Sequence, residues 1–209
     1  MATALTVRIL LVDDHPVVLD GLEGGLAREA DLMVVARAAT VAQARSILDR
    51  LAIDIVLVDI RLPDGSGLEL LAESTGTTDT PAWIVLSSFE TPQYLAAALS
   101  LGAAGYLLKT APTAEVVVAI RTAAGGGTAF TAAQLAAARG SGTVFLSAVD
   151  RGIVRGVLTG RSNDEIASQV GLSTRTIEAH LTRLYARVGV ASRTELALRA
   201  DREGWLDLP

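Results

Sequence analysis

Three carboxylates, a hydroxyl and an amine in the first half of the chain each stand at the end of an apolar run. Asp13 and Asp14 follow Ile9-Leu10-Leu11-Val12. Asp59 closes Ile53-Asp54-Ile55-Val56-Leu57-Val58, ahead of a break at Pro63 and Gly65. Ser87 follows Trp83-Ile84-Val85-Leu86, and Lys109 follows Tyr106-Leu107-Leu108. Singly these are ordinary residues: Asp opens turns, Ser lines them, and Lys is usually solvated. Together they have a chemistry. Three crowded carboxylates repel one another and need a cation. With oxygen ligands only, and no Cys or His cluster, that cation is Mg²⁺. One carboxylate can instead act as nucleophile toward a phosphoryl group, with the metal and Lys109 stabilising the phosphoryl oxygens. Ser87 can bond such an oxygen once it is in place. Lys109 is the only lysine among eighteen basic residues, and Lys suits a compact point charge reaching into such a site. His15 is expected at a helix start, outside the chemistry.

The elements that must position these residues are legible in the pattern around them. Short apolar runs begin at Arg8, Leu32, Ile53, Pro81 and Tyr106, and each is followed by a segment of helical spacing. Continuous apolar character over a short run suits a strand buried on both faces. Thr40 with Gln43 marks one helix start as a capping box, and Thr91-Pro92 marks another. Five alternations of strand and helix within about 125 residues predict an α/β fold with a doubly wound, five-stranded parallel sheet of the flavodoxin-like kind. Such sheets bind ligands beyond the carboxyl ends of their strands, where the five residues above would lie.

The chain changes character along its length. Residues 1–128 carry 8 Lys/Arg and 15 Asp/Glu, a net of −7; residues 146–209 carry 9 and 8, a net of +1. Two units with different partners are expected: residues 1–125, a connector over 126–145, and residues 146–209. The connector is rich in Gly and Ala and reads as flexible, with a short helix around Ala132–Ala138. The last unit has no strand pattern. Ser147…Asp150, Ser162…Glu165 and Ser192…Glu195 have capping-box spacing, and Ser173 supplies a fourth N-cap. They predict a small all-α unit of four helices over 147–159, 162–170, 174–188 and 193–204. Gly171-Leu172-Ser173 makes the tight connection of a helix-turn-helix. With no cysteine there is no disulfide framework or Cys-based metal site. No apolar run reaches the roughly 18 residues that span a bilayer. A cytoplasmic protein is expected.

The segments Leu11-Val12-Asp13-Asp14-His15, Val58-Asp59-Ile60-Arg61-Leu62-Pro63, Leu86-Ser87-Ser88 and Gly105-Tyr106-Leu107-Leu108-Lys109 resemble the receiver domain of two-component response regulators. The resemblance implies Asp59 as phospho-acceptor for a sensor histidine kinase. It implies Mg²⁺ held by Asp13, Asp14, Asp59 and the backbone carbonyl of Arg61. Ser87 and Tyr106 match the switch pair, with Tyr106 turning inward on phosphorylation, and Lys109 matches the phosphate-contacting lysine. Thr110 departs from the Pro that many receivers have there. The stretches Gly160-Arg161-Ser162-Asn163-Asp164-Glu165-Ile166-Ala167, Leu172 to His180 and Gly189 to Leu196 resemble the helix-turn-helix of the NarL/LuxR family. That resemblance implies sequence-specific binding to a pseudo-palindromic DNA site by a homodimer, and regulation of transcription.

The residues of the third predicted helix agree. Ile177, Leu181, Leu184 and Val188 fall on one face. Arg175, Ala179, Thr182 and Ala186 point the other way, flanked by Glu178 and Arg183. Arg175, Arg183, Arg187 and Arg193 are expected on the phosphate backbone. Glu178 can accept from a cytosine amino group, and Thr182 can meet a thymine methyl or a base edge. Thr176 and Ala179 complete the expected contact set. Relatives often have Lys at the positions of Glu178 and Thr182. With that and the small net charge, modest affinity per monomer and reliance on a dimer are expected. Two alternatives have different signatures. An Asp-nucleophile phosphatase of the haloacid dehalogenase type wants an Asp two residues after the nucleophile, where this chain has Arg61, so an enzyme is not expected. A DNA-binding regulator independent of phosphorylation would have no use for the intact acidic set.

Overall fold

The computed structural model describes residues 6–74, 80–140 and 146–206. The chain forms two compact units, residues 1–141 and 142–208. In the first, strands β1 (Val7–Val12), β2 (Leu32–Ala38), β3 (Ile55–Asp59), β6 (Ala82–Ser87) and β7 (Gly105–Leu108) make one parallel sheet. Its strand order is β2-β1-β3-β6-β7. Helices α1 (Pro16–Leu26), α2 (Val41–Leu48), α3 (Gly67–Ser74) and α4 (Pro92–Ser100) return the chain between strands, and α5 (Thr113–Ala124) follows the last one. Every residue of β3 is buried, as its unbroken apolar run requires of a central strand covered on both faces. Ile9, Leu11, Ile55, Leu57, Ile84 and Leu86 join Val116 and Ile120 of α5 in one core cluster.

The strand register brings the polar ends together. Val12 lies opposite Val58, so Asp13 stands beside Asp59 one step on. Asp59 pairs with Leu86, and Ser87 pairs with Leu108. The amino ends are pinned by a two-pronged ion pair in which Arg8 Nε and Nη2 donate to the Asp54 carboxylate at 3.0 and 2.8 Å. Between Asp59 and α3 the chain makes a small hairpin of β4 (Arg61–Leu62) and β5 (Gly65–Ser66), which the sequence reading did not anticipate. The Asp64 carboxylate in its turn accepts from the backbone N–H groups of Val41 and Ala42 at 2.7 and 3.0 Å. It thereby satisfies two of the donors left open at the start of α2.

The connector holds the short helix expected around Ala132–Ala138, but it is docked rather than flexible. Residues 132–140 form a helix, α6 (Ala132–Gly140), which packs along α4 within the first unit. Ala129 forms a parallel bridge to Gly105, extending the sheet edge by one residue. The segment is small and apolar rather than polar, and Ala138 is buried. It therefore docks instead of floating. Residues 141–145, the rest of the expected connector, lie outside the described residues.

The second unit has helices α7 (Ala148–Leu158), α8 (Asn163–Val170), α9 (Thr174–Val188) and α10 (Arg193–Glu203). All four start where a serine accepts from the backbone three residues on, and Ser162 with Glu165 forms a complete capping box. Gly171 closes α8 at φ 72°, a left-handed conformation that a side chain resists. Ile153, Ile166, Ile177, Leu181, Leu184, Leu196 and Trp205 form the core. No helix among the described residues is long and apolar enough to cross a membrane.

Candidate functional site

The acidic pocket lies beyond the carboxyl ends of β1, β3 and β7. Asp13 and Asp59 are 1% and 5% exposed, and Asp14 is partly exposed. Lys109 reaches back from β7 and places Nζ 2.7 Å from Asp13 Oδ2 and 2.7 Å from Asp59 Oδ2. Burial pushes the Asp59 carboxyl above the ordinary range, reinforced by the Asp13 charge, and the Lys109 bond only partly offsets this. Burial opposes the Lys109 ammonium, but its bonds to Asp13 and Asp59 outweigh that and hold it above its usual value. Lys109 Nζ is thus shared between two acidic side chains, one cationic group against two carboxyl groups.

His15 belongs to this cluster, contrary to expectation. It caps the start of α1 without a side-chain bond to that helix. Its Nδ1 lies 3.0 Å from Asp13 Oδ1 and 2.7 Å from Asp14 Oδ1. One ligand atom each from Asp13, Asp14, His15 and Asp59 fall within 4.8 Å of one another. The buried Asp13 Oδ2 and Asp14 Oδ1 make no well-formed hydrogen bond and face only Lys109 and His15. Carboxylate oxygens so disposed suit a hard divalent cation, and Mg²⁺ fits the donor set.

Two features shape the floor and rim. A Cβ on Gly67 would stand 2.0 Å from the Asp59 carbonyl oxygen, so only glycine lets α3 start so close beneath the end of β3. On the rim, the buried Ser87 Oγ accepts from Phe89 N at 3.2 Å and also bonds the Tyr106 hydroxyl. Tyr106 is 0% exposed, and its hydroxyl donates to Phe89 O at 2.5 Å. Burial raises its pKa strongly, so the phenol keeps its proton.

In the second unit α9 turns Ile177, Leu181, Leu184 and Val188 into the core. Arg175, Glu178, Ala179, Thr182, Arg183 and Arg187 are exposed on its other side, and Thr176 is half-buried beside Ser173, whose hydroxyl shares a 2.7 Å bond with it. His180 is half-buried, with Nδ1 2.9 Å from Asp150 Oδ1, and ties α9 to α7.

The family described as the response regulator receiver domain matches residues 9–121. The family described as bacterial regulatory proteins, luxR family, matches residues 144–200. This chain is a response regulator of the LuxR type. It is 35% identical to the transcriptional regulatory protein MctR of Rhizobium johnstonii over 91% of both chains. It is also 35% identical to the transcriptional regulatory protein UhpA of Salmonella typhimurium, over 95% of this chain and all of that one. In fold it resembles the Salmonella typhimurium RcsB response regulator, with TM-score 0.63 at 22% identity over 94% of this chain and all of that one.

The response regulator brings Asp13, Asp14, Asp59 and Lys109 into one pocket, with Ser87 at the end of the next strand. Arg61 stands two residues past Asp59 at the start of β4, its backbone N–H bonded to the Asp59 carboxylate. Three placements depart from the sequence reading. Tyr106 needs no inward turn, because it is already enclosed. His15 joins the acidic cluster, a position that its adjacency to Asp13-Asp14 alone could have suggested. Arg193 is not a free arm: its guanidinium donates to Asn163 Oδ1 at 3.0 Å and to the Arg161 carbonyl, clamping α10 to the start of α8. The residue that sequence reasoning missed is Gln134. It lies in the supposed connector and is 5% exposed beside the Ser87 loop.

Proposed function

We propose that this response regulator accepts a phosphoryl group on Asp59 from a sensor histidine kinase, and that the modified form pairs on a pseudo-palindromic DNA site to regulate transcription. The observation that carries the proposal is the Asp59 carboxylate, enclosed beside Asp13 and hydrogen-bonded by Lys109 Nζ. In the transfer an Asp59 carboxylate oxygen attacks phosphorus. The new O–P bond forms as the N–P bond of the donor phosphohistidine breaks, and the imidazole leaves with the electron pair. Asp13, Asp14, Asp59 and the Arg61 carbonyl would hold Mg²⁺, which supplies charge neutralisation at the phosphoryl oxygens. Lys109 keeps its hold on Asp13 while its other contact passes from the carboxylate to the phosphoryl group. Ser87 turns its hydroxyl to a phosphoryl oxygen, exchanging its bond with the Tyr106 hydroxyl for one to the added charge. The exposed face of α9 enters the major groove, with Arg175, Arg183 and Arg187 on phosphates and Glu178, Ala179 and Thr182 toward base edges. The 35% identical relatives bear the description transcriptional regulatory protein, which supports the reading.

The test is selection of sites from random duplex DNA by the protein treated with acetyl phosphate and Mg²⁺, alongside Asp59→Asn treated alike. Enrichment of an inverted repeat by the treated native protein, and not by the variant, is expected. Equal enrichment by both would leave a DNA-binding regulator whose control does not run through Asp59.

A further inference from the structure

The one buried polar side chain of α6, Gln134, joins that helix to the first unit through both ends of its amide. Gln134 Oε1 accepts from Thr131 N at 2.9 Å, and Gln134 N donates to Thr131 Oγ1 at 3.1 Å, so one end of the amide caps α6. The other end faces the receiver. Its Nε2 donates to Glu90 Oε2 at 2.8 Å and to the Tyr106 carbonyl at 3.2 Å. Glu90 lies in the segment Ser88-Phe89-Glu90-Thr91 that links β6 to α4. The same segment and the end of β6 are tied to β7 by the Tyr106 hydroxyl on Phe89 O and by Lys109 N on Ser87 O at 2.8 Å. Gln134 therefore joins three things: the loop that follows Ser87, the strand that carries Tyr106, and the helix that leads to the second unit, which begins at Gly142.

The rest of α6 grips weakly. Its body is Ala132, Ala133, Ala136, Ala137 and Ala138 with a single Leu135, and alanines bury little apolar area. A buried amide donating to a carboxylate is worth more than any of them; Glu90 is exposed and can turn to water, but the buried Gln134 amide would be left short of a partner. Ser87 and the loop are coupled, because Ser87 Oγ is the acceptor for Phe89 N. When Ser87 turns away, Phe89 N loses its acceptor and Glu90 is the next residue along.

We propose that Gln134 is a latch between the Ser87–Glu90 loop and α6, and that drawing Ser87 to a phosphoryl group on Asp59 opens it. The inference rests on the phospho-acceptor reading of Asp59. Its output is release of α6 from α4, which exposes the α4 face that α6 covers. The latch acts by the difference in free energy between docked and undocked α6 in the two phosphorylation states.

The experiment is hydrogen exchange of the full chain read by mass spectrometry over residues 129–140, with intact mass recorded on the same samples. Native protein, Gln134→Glu, and Gln134→Glu combined with Glu90→Gln are compared, each with and without acetyl phosphate and Mg²⁺. Gln134→Glu keeps the oxygen that caps α6 but removes both donors and sets a carboxylate against Glu90. We expect exchange over α6 to rise about tenfold or more in the native protein on phosphorylation, the size of one lost charge-assisted hydrogen bond. We expect the same rise in Gln134→Glu without phosphodonor, partial reversal in the double variant, where the Glu90→Gln amide donates to the introduced carboxylate but the bond to the Tyr106 carbonyl stays lost, and equal phosphoryl gain in all three. Full phosphorylation with α6 exchange unmoved would overturn the latch and leave the phospho-acceptor reading standing. No phosphoryl gain in the native protein would sink that reading and the switching role with it. Exchange of Gln134→Glu equal to native would show that Gln134 does not hold the helix.

Discussion

At the scale of single residues the pocket is a charge problem solved in two ways. In the protein alone, Lys109 is shared between Asp13 and Asp59 and offsets part of their charge, and His15 sits against Asp13 and Asp14. A divalent cation would take over much of that work. Mg²⁺ that binds only the folded chain should stabilise it by about 2.7 kcal/mol at a hundred times its dissociation constant. Thermal melts should show that shift in the native protein and lose it in Asp13→Asn; an equal shift in both would place the ion elsewhere. The second unit holds a different acidic residue. Burial works against the Asp150 carboxylate, but bonds from His180 and Ser147 prevail and hold it below the usual carboxylate range. A depressed folded value contributes stability that is present at neutral pH and lost as pH falls through that value. Asp150→Asn should cost roughly 1–2 kcal/mol at pH 7 and flatten the acid limb of the stability curve. An unchanged acid limb, measured by denaturant titration from pH 7 to 3, would mean that the α7–α9 tie contributes nothing.

At the scale of elements, the carboxyl ends of the parallel strands do the positioning, and tight packing beneath them fixes it. Gly67→Ala would drive a methyl into the Asp59 carbonyl and Val58 Cγ2. We expect a loss of roughly 2–3 kcal/mol with weaker phosphoryl gain, read by urea unfolding and intact mass. Unaltered stability would show that β3 and α3 can part without cost. The strands were legible because a doubly buried strand must be apolar throughout and must stop abruptly. Asp13, Asp59 and Lys109 sit at those stops. The helices of the second unit were legible through their serine caps. Other features were not. The β4–β5 hairpin spans too few residues to show a period, and the Asp64 bridge to α2 is a contact across 22 and 23 positions that no local pattern carries. The helix around Ala132–Ala138 was legible but its docking was not, because Gly and Ala signal both flexibility and close packing. Only the fold shows Gln134 meeting Glu90. Tyr106 and Arg193 were placed by analogy of position, which gives the residue but not the direction its side chain takes.

At the scale of the molecule, a net charge of −7 over residues 1–128 and +1 over 146–209 sets the terms for meeting a polyanion. Few phosphate contacts per copy mean a shallow dependence on salt. Substituting Arg175 or Arg183 by Ala should lower the salt slope of DNA binding by about 1 per contact removed. Arg193→Ala should leave the slope alone and loosen the second unit, since its guanidinium is committed to Asn163 and the Arg161 carbonyl. A fall in slope for Arg193→Ala, with none for Arg175→Ala, would reverse the assignment of these side chains. On the proposed reading the two units divide the work: an acidic receiver whose buried carboxylate would take the charge, and a helical unit whose α9 face would meet DNA.

The most direct test of that division is the intact mass of the protein after incubation with acetyl phosphate and Mg²⁺, with light scattering on the same sample. The account predicts a gain of one phosphoryl group that Asp59→Asn does not acquire, together with conversion of monomer to dimer. An intact fold that gains no phosphoryl group, or a gain that persists in Asp59→Asn, would contradict it.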